Sequence, residues 1–159
     1  ELGHTKIGFV KDMIGSYVGD RRRAGFESGM RALNLPYDAS QIQSGNRQED
    51  IHTSVQNLLA QGVTAIICST DLCASRVLAE LHYREKRVPQ DISVVGFDDL
   101  PIAKYLSPPL TTVRQDRLSL GKCALSLLEA LENNIYISSM MIRANLIVRN
   151  STAFFEKKD

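Results

Sequence analysis

A chain of 159 residues suffices for one core, or for two small lobes sharing helices, and is hardly long enough for two independent enzymatic domains. Its 43% apolar and 23% charged residues are ordinary globular values, which exclude a disordered or collagen-like chain. A net charge of +1 points to no nucleic acid, membrane or acidic substrate.

Lys6 to Val10 reads as a strand, and Asp20 to Asn34 as a helix with Phe26, Met30 and Leu33 on one face. Gly25 and Gly29 are expected to let that helix sit close to the sheet. Ile42 falls in a short strand. Ile51, Val55, Leu58 and Leu59 repeat at the helical period until Gly62 ends the second helix. Thr64 to Cys68 is the next buried strand, and Ala74, Val77, Leu78 and Leu81 mark a third helix, ended by Val88-Pro89. Ile92, Val94, Val95 and Phe97 form a nearly continuous apolar run, as in a strand buried on both faces. Beyond Pro108-Pro109, Thr111 to Gln115 is extended, and Asp116 can N-cap a long helix to about Asn133. Met140 to Arg149 alternates enough to be a last strand, and Phe154 to Asp159 either frays or docks by its two aromatics.

Strands alternating with helices over short connections give an α/β class: an open, mostly parallel sheet flanked by helices, with functional loops at the carboxyl ends of the strands. The Asp116 helix departs from that plan. Leu118, Leu125 and Leu128 lie on one stripe and Leu120, Leu127 and Leu131 on another, more apolar surface than one sheet face covers. It is expected to need neighbours on two sides. Glu1 to His4 resembles the end of a helix with its glycine stop, so the chain reads as truncated at its start. No apolar run approaches the roughly 20 residues of a membrane span. Nor does the start resemble a secretory signal, which would have to lie upstream. Cys68, Cys73 and Cys123 form no CxxC pair and leave one unmatched, which favours reduced thiols in a cytosol.

Asp98 and Asp99 emerge at the carboxyl end of a central strand, where open α/β sheets place ligands. Three readings stay open: a turn cap beside a solvated partner, a ligand-binding carboxylate, or an acid/base pair for glycoside hydrolysis. Arg21, Arg22 and Arg23 form the only dense basic cluster, and without more cations and interleaved aromatics they are no nucleic-acid footprint. A helix N-terminus repels cations, so one of the three is expected to have another task, such as donating to a ligand. His4, His52 and His82 lack metal-ligand spacing, and no GxSxG, GxGxxG or GxxxxGK[ST] motif is present. No catalytic residue, metal or cofactor is therefore expected, and what remains is a binding pocket.

The segments LGHTKIGFV, RRRAGF, STDLCA, VPQDISVVGFDD and PPLTTVRQDRLSLG resemble the effector-binding region of the lactose-repressor/galactose-repressor family of bacterial transcriptional regulators, whose core shares the fold of periplasmic sugar-binding proteins. The resemblance runs across nearly the whole chain, and the last two segments together are highly specific. It implies that Arg22, in an R-x-x-G-aromatic motif, and Asp98, the first aspartate of VG-aromatic-DD, contact a small-molecule effector. Gln115 matches a position reaching the cleft from the hinge. Thr70 stands where the family usually carries asparagine, while Asp71 is expected to remain a helix N-cap. Asn46 falls where some members stack an aromatic on the ligand, which weakens direct sugar stacking.

The resemblance also implies a partial effector domain. Residues 1–112 and 138–159 would belong mainly to the C-terminal lobe, and the helix 116–134 would normally pack in a missing N-terminal lobe. The implied protein is a cytoplasmic, non-enzymatic sensor of a sugar or related metabolite. It would be a homodimer or higher oligomer and would touch operator DNA only through the missing N-terminal segment. The exposed stripes are expected to drive self-association of the fragment. The rival readings are a periplasmic sugar-binding protein of a transport system and a glycosidase using Asp98.

Overall fold

The computed structural model describes residues 1–12, 16–45, 48–137 and 139–155. In chain order the elements are β1 (Ile7–Lys11), α1 (Tyr17–Ala32), β2 (Ile42–Ser44), α2 (Gln48–Ala60), β3 (Ala65–Cys68), α3 (Asp71–Tyr83), β4 (Ser93–Phe97), β5 (Thr111–Arg114), α4 (Arg117–Glu132) and β6 (Asn145–Ile147). They build one sheet in the order β2-β1-β3-β4-β5-β6. All neighbours pair in parallel except β6, which runs antiparallel to β5. The expected α/β class with an open, mostly parallel sheet is what the chain forms. Strand order reverses at β1, since β2 lies on one side of it and β3 on the other, and ligands of such sheets gather at that switch point.

Side chains alternate across the strands and divide the core in two. Val10, Ile66, Cys68 and Val94 point to one face, where they pack with Ile51, Val55 and Leu58 of α2 and Val77 and Leu81 of α3. Ile7, Phe9 and Ile67 point to the other face, where Phe26 and Met30 of α1 meet them. Phe9 and Phe26 stack with ring centroids 5.4 Å apart. The faces are unequal: sixteen buried residues form the first cluster and three the second. Each fully buried aliphatic side chain adds about 1.5–3 kcal/mol, so the α2/α3 face carries most of the stabilising burial.

The thin face corrects two expectations. β4 is not buried on both sides, because Val95 and Phe97 face the thin side and are only half-buried. Gly25 and Gly29 do not draw α1 onto the sheet, since a Cβ at either would meet open space. Both instead line an apolar groove of about 740 Å³ floored by Phe9, Ile67 and Phe97.

Helix ends differ from their sequence signals for local reasons. α1 begins at Tyr17 because Ser16 caps it, accepting from Gly19 N. α3 ends at Tyr83, well before Val88-Pro89: Glu85 takes a φ of 55°, and Lys86 N returns to Leu81 O at 2.9 Å, so a left-handed cap stops the helix without proline. The last strand is shorter than Met140 to Arg149 and spans only Asn145–Ile147. Phe155 docks at one edge, its N–H bonding Leu2 O at 2.8 Å and its ring lying 5.7 Å from that of His4, yet it stays exposed, and Phe154 more so. Residues 156–159 of that tail lie outside the described residues. All three cysteines are free thiols, with Cys68 and Cys73 buried; burial pushes the Cys68 thiol well up, and the neighbouring Cys73 adds to this.

Asp116 caps α4 as expected, accepting from Ser119 N at 3.0 Å. α4 itself has no more than marginal contact with any other helix or strand. Ala130 is its only buried residue, and Leu118, Leu125, Leu128 and Leu131 are all exposed.

Candidate functional site

Arg22 lies in the second turn of α1 and reaches over the sheet to the strand tips. One guanidinium nitrogen donates to Ser69 O at 2.6 Å, and the other to Asp98 Oδ1 at 2.8 Å. Its central carbon stands 3.9 Å from the centre of the Phe97 ring, a cation–π contact. These three partners offset the dipole's repulsion of a cation near a helix N-terminus. Arg23 pairs instead with Glu27 one turn on. The Arg22 and Asp98 side chains are 15% and 23% exposed, which screens their attraction less than at a surface yet leaves the pair open to a ligand.

Asp98 directly follows β4 with a φ of 110°, and Asp99 follows with 47°. Left-handed conformations cost a non-glycine residue energy and persist where surrounding bonds enforce them. Here Asp98 N donates to Val113 O at 2.9 Å, and Leu100 N donates to Asp71 Oδ2 at 2.7 Å. The turn aims the neighbouring carboxylates apart. Asp98 meets Arg22, whereas Asp99 takes Arg149 on Oδ1 at 2.6 Å and Arg114 on Oδ2 at 2.5 Å. Burial alone would raise the Asp99 carboxyl, but the bonds from Arg149 and Arg114 outweigh it and hold the group below the usual carboxylate range.

Gln115, just past β5, donates from Nε2 to the same Asp98 oxygen at 3.5 Å, and Arg117 donates to Asp98 O at 3.0 Å. Arg22, Asp98 and Gln115 thus converge. Thr70 stands one residue from the Ser69 carbonyl that Arg22 uses, but its hydroxyl is engaged: it accepts from Cys73 N at 3.0 Å and donates to Asp12 Oδ2 at 2.6 Å. Thr70, and not Asp71, is the N-cap of α3. Asp71 is fully buried beneath the strand ends, accepting from Leu100 N and from Thr112 Oγ1, and its burial raises its carboxyl above the ordinary value. Asn46 lies outside the described residues.

Sequence reasoning missed Asp12. It directly follows β1 and accepts from Ser69 Oγ at 2.7 Å and from Thr70, so the strand-tip network runs Asp98, Arg22, Ser69, Asp12, Thr70. Its one sequence signal was an acid two residues beyond the apolar run of β1.

The arrangement can bind a hydroxyl-rich molecule. Oδ2 of Asp98 takes no donor among the described residues, so it can accept from a ligand hydroxyl in a charge-assisted bond worth roughly 1.5–3 kcal/mol. The Phe97 ring and the groove beyond it offer apolar surface beside that acceptor. For acid/base chemistry Asp98 would need a free second carboxyl, whereas Asp99 is clamped by two arginines and both oxygens of Asp12 are taken by Ser69 and Thr70.

The match to known proteins agrees with this geometry. Residues 1–152 match the periplasmic binding protein-like domain. The chain is 34% identical over 131 residues to the HTH-type transcriptional repressor PurR of Haemophilus influenzae, covering 80% of this chain and 39% of that repressor. It is 30% identical over 156 residues to the ribose operon repressor of the same organism, covering 95% of this chain and 47% of the relative. A sugar-binding transcriptional regulator of the LacI family from Escherichia coli, solved in complex with phosphate, superposes with a TM-score of 0.85 at 26% identity, covering 96% of this chain and 56% of that one. The chain therefore spans less than half the length of the two repressors. Neither a transport protein nor a glycosidase stands among these three relatives. With a matching domain over nearly its whole length, the chain belongs to the periplasmic binding protein-like domain family, and over that domain it is similar to transcriptional repressors of the LacI family.

Proposed function

We propose that this chain is the C-terminal part of the effector-sensing domain of a bacterial transcriptional repressor, binding a sugar or related metabolite at the carboxyl ends of its strands. The observation that carries the reading is the Arg22–Asp98 pair, held over Phe97 with Gln115 beside it and an acceptor oxygen left open. Arg22, Asp98 and Gln115 contact the effector, Thr70 shapes the rim through Asp12, and Asn46 is a further candidate contact. The effector sits between this lobe and a second one, against which α4 packs in the complete protein. A difference in affinity for two lobe arrangements then alters binding to operator DNA, which is read by a segment outside this chain. The complete protein is a cytoplasmic homodimer or higher oligomer. Names of relatives support this reading, one being a ribose operon repressor and one a sugar-binding regulator.

The test is a thermal-shift screen of the full-length protein against monosaccharides, disaccharides and purine bases. A ligand at about 100 times its dissociation constant adds about 2.7 kcal/mol of stability. That shift is expected in the wild type and is largely lost in Asp98→Asn and Arg22→Lys, the latter because an ammonium cannot reproduce the fork. A bound compound whose shift is unchanged in both variants would overturn the assignment.

A further inference from the structure

The Asp98–Asp99 dipeptide joins two networks that otherwise share no residue. On one side Asp98 meets Arg22 of α1. On the other, the Asp99 side chain, only 6% exposed, is gripped by Arg114 at the end of β5 and by Arg149 two residues after β6. Arg149 is itself pinned: Nη1 donates to Leu110 O at 2.7 Å, and its backbone N donates to Thr111 Oγ1 at 2.9 Å. Arg117, the first residue of α4, donates to Asp98 O. The chain thus leaves for α4 along β5 and returns along β6, and both segments are bonded to this one dipeptide.

Two consecutive residues with φ of 110° and 47° do not hold that shape unaided. Three backbone amides are tied, those of Asp98, Asp99 and Leu100, the second weakly at 3.4 Å to Thr112 Oγ1. The double ion pair of Asp99 supplies the strongest remaining restraint, since charge-assisted bonds from two arginines exceed neutral ones. From this geometry we infer that Asp99 is a positioning residue of the strand-tip site: it sets the aim of Asp98 onto Arg22 and couples that aim to β5 and β6. The inference rests on reading Arg22–Asp98 as the effector pair, but its test needs no ligand.

The probe is the Arg22 guanidinium itself, followed by NMR in full-length protein labelled with 15N-arginine. In the wild type its Nη protons, bonded to Ser69 O and Asp98, are expected to exchange slowly with solvent. Asp99→Asn is expected to speed that exchange at least threefold, and Arg114→Lys and Arg149→Lys to do so less. The core amides of Val10 and Val94 should be unchanged, and so should Arg22 exchange in Glu27→Gln, which breaks a neighbouring ion pair on α1 outside this network. A residue that merely glued the sheet edge would leave Arg22 unaffected. Should Asp99→Asn not fold, the two arginine variants decide. Unchanged Arg22 exchange in every folded variant would overturn the inference. Accelerated exchange together with a thermal-shift screen that finds no ligand would support the positioning link while removing the sensor reading.

Discussion

Gly96, the next-to-last residue of β4, shows how tightly the floor beneath the strand tips is built. A Cβ there would overlap the Asp71 carboxylate and lie 2.8 Å from Leu110 Cδ2. Neither neighbour can yield freely, because Asp71 is held by Thr112 Oγ1 at 2.5 Å and Leu110 is fully buried. Gly96→Ala is therefore expected to destabilise the fold by about 1–3 kcal/mol, read as a lower urea midpoint at unchanged slope. At this scale the residues alone singled out a cluster, Arg21 to Arg23, and a pair, Asp98 and Asp99, since a cation near a helix start and an acid at a strand end each demand a partner; the choice of Arg22 and Asp98 came from the family resemblance. The exchange of roles between Thr70 and Asp71 was not legible. Which of two adjacent polar residues caps a helix depends on a backbone dihedral, and Thr70 alone has the extended φ of −144° that a cap needs.

Among the elements, α4 poses the plainest physical demand. Five exposed leucines lie along its sixteen residues, with no more than marginal contact to another helix or strand among the described residues. Each would gain roughly 1.5–3 kcal/mol on burial, enough together to drive association. The 159-residue chain is expected to self-associate, with a mass in light scattering that rises with concentration. Leu125→Glu combined with Leu128→Glu should return it to monomer; a wild-type chain that stays monomeric at high concentration would contradict this. Helix existence and type were legible because long apolar periodicities leave little choice. The glycine stripe of α1 was misread, since Gly25 and Gly29 mark an uncovered groove, and no periodicity says whether small residues face a close neighbour or none.

Taken as a whole, the molecule carries two carboxyls of opposite pH sign at one end of its sheet. Asp99 is depressed in the folded state, so its contribution is fully present above its unfolded pKa near 3.9 and is lost as pH falls through the folded value. Asp71 is raised by burial, so its ionisation costs stability at neutral pH, and that cost is relieved as pH falls through its raised value. Asp99→Asn should consequently be less stable than wild type at pH 7, and urea midpoints of the two should converge below about pH 4. A gap that persists or widens in acid would show that Asp99 does not act as an ion pair.

Composition, apolar period and the acids after β4 were enough to determine the α/β class, the order of elements and the strand end proposed to carry the site, because these depend on local pattern and on a general rule of parallel sheets. Tertiary structure alone decided that Asp98 meets Arg22 while Asp99 meets Arg114 and Arg149, that Asp12 joins the rim through Ser69, and that one sheet face is left thin. Those pairings span from 15 to 76 residues of chain, and which distant charges meet is set by strand order and the turn after β4, quantities no local window of sequence contains.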